Sequence, residues 1–227
     1  MFSLLTDFAA ELRYDRAVKA VILTGAGRAF TAGRDVKGGD KEPPMHFADA
    51  EAFMHDTIKA LEALPIPLIA AVNGPCFTGG LELVLAADII IAARSATFCD
   101  THAELGIVPG WGLSVRLPRR VGYAAAKLMS WTARRYSGEQ AADIGLADLV
   151  VDDDALMTTA AVRRFSLSLS LSLSLCDRPA GTGTLEKPVV KISFCFSGAR
   201  DRYCEELLGK HRQAEEDAEL RQIDHGA

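Results

Sequence analysis

The amino-acid sequence predicts an α/β fold in which most strands are parallel. Short apolar runs rich in β-branched residues alternate with segments of helical periodicity through residues 1–151, as happens when helices connect parallel strands. The clearest unit is a strand, a turn and a helix. Residues 67–72 have the composition of a buried strand, Gly79 and Gly80 follow, and residues 81–87 form a run without Gly or Pro. We therefore expect one α/β unit organised around this turn.

The other elements follow in order along the first 151 residues. Apolar spacing of three to four residues predicts helices, and short continuous apolar runs predict buried strands. Pro65 and Pro67 end one helix, Gly122 divides another pair, and Ser137 with Gln140 forms a capping pattern. The expected elements are a helix over 3–14, a strand over 18–23, a helix over 47–64, a strand over 89–93, helices over 113–121 and 124–131, a short helix after 137, and a strand over 149–151.

The sequence changes character after Arg164. Serine and leucine alternate strictly from Phe165 to Leu175, and a stretch rich in Pro, Gly and Thr follows. Taken literally, the alternation predicts an amphipathic strand; the alternatives are disorder or a segment outside the native coding sequence. Residues 203–223 predict a charged helix. We divide the chain into a core (1–164), a low-complexity stretch with linker (165–185) and a C-terminal segment (186–227).

Composition favours a globular protein of ordinary solubility. The 227 residues are 49% hydrophobic and 24% charged, with a net charge of −5, which gives no indication of nucleic-acid or anionic-membrane binding. The longest apolar run, 83–93, is interrupted by Asp88 and is too short to span a bilayer. Five cysteines without CxxC spacing argue against a disulfide framework or a zinc site. The cysteine usage predicts a reducing, intracellular compartment, and no signal peptide is visible.

The glycine turn has two interpretations. The first amides of a helix lack intrahelical partners, so they are available to an anion or a developing oxyanion. Gly79 and Gly80 would allow a ligand to approach this backbone closely, and Glu82 would place a carboxylate beside it. Alternatively, the glycines form only a tight turn and Glu82 interacts favourably with the helix dipole.

Four ordered segments resemble the crotonase (enoyl-CoA hydratase/isomerase) superfamily. They are residues 18–35, 73–83, 106–112 and 141–150, with Asn73-Gly-Pro-Cys-Phe-Thr-Gly-Gly-Leu-Glu as the most distinctive. The resemblance implies a spiral of ββα repeats with an atypical C-terminal segment here. It also implies acyl-CoA thioester substrates, in which coenzyme A is part of the substrate and no further cofactor is needed. Homotrimers or dimers of trimers are the implied assembly.

The same resemblance implies an active site. Backbone N–H groups of Arg34 and Gly79 would form the oxyanion hole, and Glu82 matches the first hydratase glutamate. The second glutamate position holds His102, with Glu104 two residues later. Hydration needs one group to take a proton from water and one to deliver a proton to the α-carbon. An imidazole serves either purpose near neutral pH.

Further residues are candidates for substrate or coenzyme A contact. Lys37 matches a position where relatives carry a cation, although a lysine in a charged loop is otherwise ordinary. Asp35 is an alternative stabiliser of its own turn, and Trp111 either packs its turn or lies beside the acyl tail. No metal ligand set is expected. The full set of substrate-binding candidates is Ala32, Asp35, Lys37, Gly80, Pro109 and Trp111.

The leading hypothesis is hydration of 2-enoyl-CoA to 3-hydroxyacyl-CoA, as in fatty-acid β-oxidation. Isomerase, hydrolase or decarboxylase chemistry on the same fold stays open. A second hypothesis is a catalytically impaired acyl-CoA-binding subunit, because both ends of the chain depart from the family pattern. A nucleotide-binding reading of Gly25 and Gly27 is weak, since the third glycine of that motif is missing. Cytoplasm and organelle matrix, mitochondrial or peroxisomal, are not distinguished.

Overall fold

A five-stranded parallel sheet forms the centre of the described chain. The computed structural model describes residues 2–31, 33, 47–161 and 190–194. The sheet order is β7-β4-β2-β1-β8, and every neighbouring pair is parallel. This arrangement confirms the α/β prediction. Its strands are β1 (Val21–Gly25), β2 (Leu68–Val72), β4 (Ile89–Ala93), β7 (Leu149–Val151) and β8 (Val190–Phe194).

The two central strands explain why the sheet was predictable. All residues of β1 and β2 are buried, because a parallel sheet covered on both faces exposes neither side of its inner strands. The sequence therefore shows continuous apolar runs in place of alternation.

A second sheet of three short strands carries the loops around the glycine turn. Strands β3 (Pro75–Phe77) and β5 (Thr97–Cys99) are parallel, and β5 pairs antiparallel with β6 (Tyr136–Ser137). Thr31 adds an isolated parallel bridge to Cys76. The sequence analysis assigned no strand to these residues, since strands of two or three residues are too short to establish a period.

The helices predicted over the first 151 residues are present with similar bounds, whereas α4 (His102–Leu105) and a helical segment over 156–161 were not predicted. Gly122 interrupts α5 with φ of 79°, as the sequence predicted. Ser137 and Gln140 form the predicted reciprocal capping box at α6. A 3-10 turn (Asp153–Ala155) and a helical segment over 156–161 follow β7. The helices are α1 (Phe2–Leu12), α2 (Phe47–Glu62), α3 (Gly79–Val84), α4 (His102–Leu105), α5 (Leu113–Thr132) and α6 (Gly138–Asp143).

Two aspartates repeat one hydrogen-bond arrangement along the parallel sheet. Asp88 donates its N–H to Leu68 O (2.9 Å), and its Oδ2 accepts from Leu68 N (2.8 Å). Asp148 does the same with Ile90, at 2.8 Å for the backbone bond and 2.7 Å for the carboxylate. Each aspartate thereby pairs the start of one strand with the chain entering the next. The same pair of hydrogen bonds therefore joins β2 to the residue before β4, and β4 to the residue before β7.

Strand β8 is a part of the sheet that the sequence analysis did not predict. It pairs with β1 from Val21↔Val190 to Gly25↔Phe194, so residues 190–194 belong to the same sheet as the first 151 residues. The pairing covers an edge of β1 that would otherwise expose unpaired amides and carbonyls. The predictions made for residues 165–185 and for a helix over 203–223 lie outside the described residues.

Within the described ranges, no helix combines the length and apolar character needed to cross a membrane.

Candidate functional site

The turn into α3 is held in an unusual conformation at Thr78. Its φ of 50° and ψ of −111° place a β-branched residue at positive φ, which costs on the order of 1–3 kcal/mol. Two contacts hold it there. Thr78 N–H donates to Cys99 O (2.9 Å), and the hydroxyls of Thr78 and Thr101 are hydrogen-bonded. Strands β3 and β5 therefore fix the direction of the amide that follows, that of Gly79.

Both glycines of the turn are required by close packing. A Cβ on Gly79 would lie 2.2 Å from Cζ3 of Trp111, and a Cβ on Gly80 would lie 2.5 Å from Cγ2 of Thr31. These distances are well inside van der Waals contact, so neither position accepts a side chain without movement of its neighbours. The structure thus brings predicted residues Gly79, Gly80 and Trp111 together.

The N–H of Gly79 begins α3 and has no acceptor among the described residues. Gly33 lies against it, because a Cβ on Gly33 would be 3.0 Å from Gly79 N, and Gly33 has φ of 90°. The segment that precedes Arg34 therefore approaches Gly79, as the oxyanion-hole prediction requires. Arg34 itself lies outside the described residues, together with the predicted contacts Ala32, Asp35 and Lys37.

Glu82 is buried and held by two backbone amides. Its Oε1 accepts from Trp111 N (2.8 Å) and Leu113 N (3.1 Å), and the side chain is 1% exposed. Burial raises the pKa of the Glu82 carboxyl, and the Leu113 amide, His102 and the Trp111 amide offset this only in part. Anchoring through Oε1 leaves Oε2 as the oxygen available for proton transfer.

His102 faces that oxygen. Its Nε2 lies 3.6 Å from Glu82 Oε2, and its other ring nitrogen, Nδ1, lies 2.5 Å from Asp100 Oδ1. The same oxygen of Asp100 also accepts from His102 N (3.2 Å). The three side chains form a buried row in the order Asp100, His102, Glu82. By contrast, Glu104 is exposed on the solvent side of α4, so it does not share the position of His102.

Asp100 is the residue of this row that sequence reasoning missed. It is completely buried, and burial opposes its ionisation; the His102 ring, the nearby Ser130 side chain and the His102 amide nevertheless lower the pKa of its carboxyl. Oδ2 has no partner with hydrogen-bond geometry, although Ser130 is near enough to contribute to that shift. Asp100 lies two residues before His102 in the sequence, and this spacing is a local signal that could have indicated the pair.

The loop after α4 completes the surroundings of Glu82. Trp111 is 5% exposed, and its ring packs edge-on against Phe2, with centroids 5.0 Å apart. Arg116 donates to Trp111 O (2.8 Å) and to Glu62 Oε2 (2.6 Å), which ties this loop to α2. Pro109 is half-buried in the same loop. The tryptophan therefore supports the turn, as one of the two interpretations expected.

Chemically, the arrangement combines a free helix-start amide with two facing proton-transfer groups. The amide of Gly79 suits an oxygen that acquires negative charge. Glu82 and His102 suit the movement of one proton on and one proton off a bound molecule. Among the described residues, no three His, Cys, Asp or Glu side chains are arranged to hold a metal ion.

Comparison with known proteins gives consistent matches. A family model described as enoyl-CoA hydratase/isomerase matches residues 2–169. The chain is 39% identical over 139 residues to a probable peroxisomal enoyl-CoA hydratase 1 of Arabidopsis thaliana, covering 61% of this chain and 51% of the relative. It is 37% identical over 164 residues to the 1,2-epoxyphenylacetyl-CoA isomerase of Escherichia coli, covering 70% of this chain and 63% of that protein. The chain thus spans about half to two thirds of the length of these relatives.

Solved structures agree in fold and cover a similar part of the chain. The enoyl-CoA hydratase of Bacillus anthracis superposes with a TM-score of 0.69 at 36% identity, over 74% of this chain and 65% of that one. A monofunctional enoyl-CoA isomerase of M. smegmatis gives 0.62 at 33% identity, over 76% of each chain. The family model alone accounts for well over half of the sequence. The chain belongs to the enoyl-CoA hydratase/isomerase family.

Proposed function

We propose that the chain hydrates 2-enoyl-CoA thioesters to 3-hydroxyacyl-CoA. The observation that supports this proposal is that two proton-transfer groups, Glu82 Oε2 and His102 Nε2, lie 3.6 Å apart. Glu82 belongs to the same short helix, α3, that begins with the Gly79 amide. Hydration uses such a pair, because the elements of water must be added to two neighbouring carbons.

The pair holds water in a defined place. A gap of 3.6 Å is too narrow for a water between the two atoms, but one water bonds both from the side at ordinary hydrogen-bond distances. As the water oxygen bonds to C3, its proton passes to the member of the pair that lacks one. The electrons of the double bond move to the thioester oxygen, which becomes an enolate oxygen.

The amides of Gly79 and Arg34 are the proposed donors to that oxygen. The other member of the pair delivers its proton to C2, the enolate returns to a thioester, and the product is neutral overall. One fixed oxyanion donor lowers the barrier by about 3 kcal/mol. Coenzyme A enters as part of the substrate, and no further group is needed for this sequence of steps.

The direct test uses the full chain with crotonyl-CoA. Loss of the absorbance of the conjugated thioester, with 3-hydroxybutyryl-CoA as the product, supports hydration. A chain that binds crotonyl-CoA in calorimetry but forms no product is the impaired binding subunit that the sequence left open. Hydration that continues undiminished after Glu82→Gln would overturn the assignment of this site.

Isomerisation is the second candidate. It is favoured by the enoyl-CoA isomerase among the similar structures, at 33% identity, and it needs only one group to take a proton from C2 and return it to C4 of the enolate. A 3-enoyl-CoA substrate separates the two activities, because isomerisation creates the conjugated absorbance that hydration removes.

A further inference from the structure

We propose that Asp100 is a positioning residue that holds the His102 ring with a proton on Nδ1 and so leaves Nε2 as the proton acceptor facing Glu82. This inference rests on the proposed function for its chemical purpose. It assigns different roles to the two groups: His102 takes the proton of water, and Glu82 delivers the proton to C2.

The first argument is the hydrogen-bond inventory of His102. A carboxylate only accepts, so the 2.5 Å contact between Asp100 Oδ1 and His102 Nδ1 requires a proton on Nδ1. A neutral imidazole carries one proton, and Nε2 then has a free lone pair. That lone pair lies 3.6 Å from Glu82 Oε2.

The second argument is the way the ring is oriented. Asp100 Oδ1 accepts from both the ring and the backbone N–H of His102, which fixes the side chain relative to its own main chain. Asp100 is fully buried and His102 is 6% exposed, so little water competes for these bonds. Burial of a carboxylate is costly unless it is well paired, and here one oxygen makes both bonds while Oδ2 has no partner with hydrogen-bond geometry.

The third argument is that Asp100 does not reach the reaction itself. His102 lies between Asp100 and Glu82, and the backbone bonds of Glu82 come from Trp111 and Leu113. Asp100 makes no hydrogen bond to Glu82 in the described part of the chain, so it positions the pair through His102; its charge also helps to raise the pKa of the Glu82 carboxyl. A carboxylate that holds a histidine in the productive tautomer has this role in other enzymes.

The test measures the ring tautomer directly. In the full chain labelled with 15N-histidine, the signals of His102 are assigned by their loss in His102→Gln. We expect Nδ1–H in the wild type. In Asp100→Leu, which keeps the branched shape of the side chain but has no acceptor, we expect a shift to Nε2–H. Asp100→Asn retains an oxygen acceptor and should keep Nδ1–H; it also provides the measurement if Asp100→Leu does not fold. His55, on α2, is an internal reference whose signals should not move.

The kinetic arm uses crotonyl-CoA. We expect Asp100→Leu to lower kcat on the order of 100-fold with little change in KM, and Asp100→Asn to lose less. A tautomer that is already Nε2–H in the wild type, or unchanged in Asp100→Leu, overturns the inference whatever the activity. Full hydration by Asp100→Leu also overturns it. If the wild type shows no hydration but the tautomer shifts as expected, the proposed function fails while the role of Asp100 in holding His102 stands.

Discussion

Glu82 Oε2 and His102 Nε2 face each other across 3.6 Å, and each side chain is anchored from behind. Two amides hold the other oxygen of Glu82, and Asp100 holds the other nitrogen of His102. Neither group can turn away without losing those bonds. The pair is therefore preorganised, and its two free atoms point toward the same place.

Replacing Glu82 by Gln should remove one of the two proton-transfer groups while leaving the fold intact. The amide oxygen of Gln accepts the same two backbone N–H groups, so the amides of Trp111 and Leu113 keep their partner. We expect kcat for crotonyl-CoA hydration to fall about 10²- to 10⁴-fold with KM little changed. Glu62→Gln is the matched control, since it changes a half-exposed carboxylate outside the Glu82–His102 pair and keeps an oxygen that accepts from Arg116, so its kcat should stay near the wild-type value. Equal losses in both variants would contradict the assignment.

The same two variants should change the pH dependence of stability in opposite directions. The folded-state pKa of Glu82 is raised above 4.5, chiefly by burial. The contribution of Glu82 to the free energy of unfolding is thus fully present below pH 4.5 and is lost as pH rises through the folded pKa. Relative to Glu82→Gln, the wild type should therefore become less stable on going from pH 4.5 toward neutral pH.

The contribution of Glu62 to the free energy of unfolding depends on pH in the opposite direction. The hydrogen bond from Arg116 is the largest cause that lowers the pKa of its carboxyl below 4.5. Its contribution is present above pH 4.5 and is lost as pH falls through the folded pKa. Urea unfolding of the three proteins across pH 3.5–7.5 would measure both trends. If the stability difference between wild type and Glu82→Gln were independent of pH, the buried carboxylate would not titrate as described.

The sequence predicted the central sheet because strands that are buried on both faces consist almost entirely of apolar residues. Strands β2 and β4 are continuous apolar runs, and both were located within a few residues. Strands β3 and β5, which hold Thr78 and Thr101 together, are only three residues long, too short to produce a recognisable apolar run. The conformation of the glycine turn depends on that tertiary contact and could not be derived from local propensity.

The candidate site also contains residues that the sequence predicted and contacts that it did not. Glu82 and His102 were predicted because each occupies a defined position relative to the ordered family-like segments. Asp100 was missed as a site residue because its role depends on the direction of its side chain toward His102, two residues on. The bonds to Glu82 from Trp111 and Leu113 come from backbone amides, which any residue type supplies, so residue identity gave no signal for them.

Removal of either repeated aspartate carboxylate should destabilise the parallel sheet by a similar amount. Asp88→Ala leaves the buried amide of Leu68 without its side-chain acceptor, and Asp148→Ala does the same to Ile90. We expect each to lower the free energy of unfolding by about 1–3 kcal/mol in urea titrations. Asp88→Asn and Asp148→Asn retain an acceptor oxygen and should lose clearly less.

A difference between the two sites would measure one further contact. Asp148 also bonds Arg120, whereas no cation contacts Asp88 in the described part of the chain. A partly exposed ion pair contributes about 0–1 kcal/mol. Asp148→Ala should therefore lower the free energy of unfolding by at most that much more than Asp88→Ala does. If the two Asn variants lost as much as the Ala variants, charge and not the hydrogen bond to the strand would be the stabilising feature.

The packing of Trp111 on Gly79 predicts a specific coupling between these residues. Gly79→Ala brings its Cβ to 2.2 Å from Cζ3 of the indole ring, and such overpacking costs about 1–3 kcal/mol of unfolding free energy. Trp111→Leu removes the ring atoms responsible. In the double variant, Gly79→Ala should therefore cost less than it does alone, with a coupling energy of about 0.5–3 kcal/mol.

The neighbouring glycine is the control for this cycle. A Cβ on Gly80 would meet Thr31, at 2.5 Å from Cγ2 and 2.6 Å from the backbone oxygen, and would not meet Trp111. Gly80→Ala should thus destabilise the protein equally in the wild-type and Trp111→Leu backgrounds. Coupling at position 79 but not at position 80 would show that the indole ring packs against the turn whose first amide we assign to the oxyanion. Equal coupling at both positions would mean that Trp111→Leu disturbs the whole turn, and the close contact with Gly79 would lose its support.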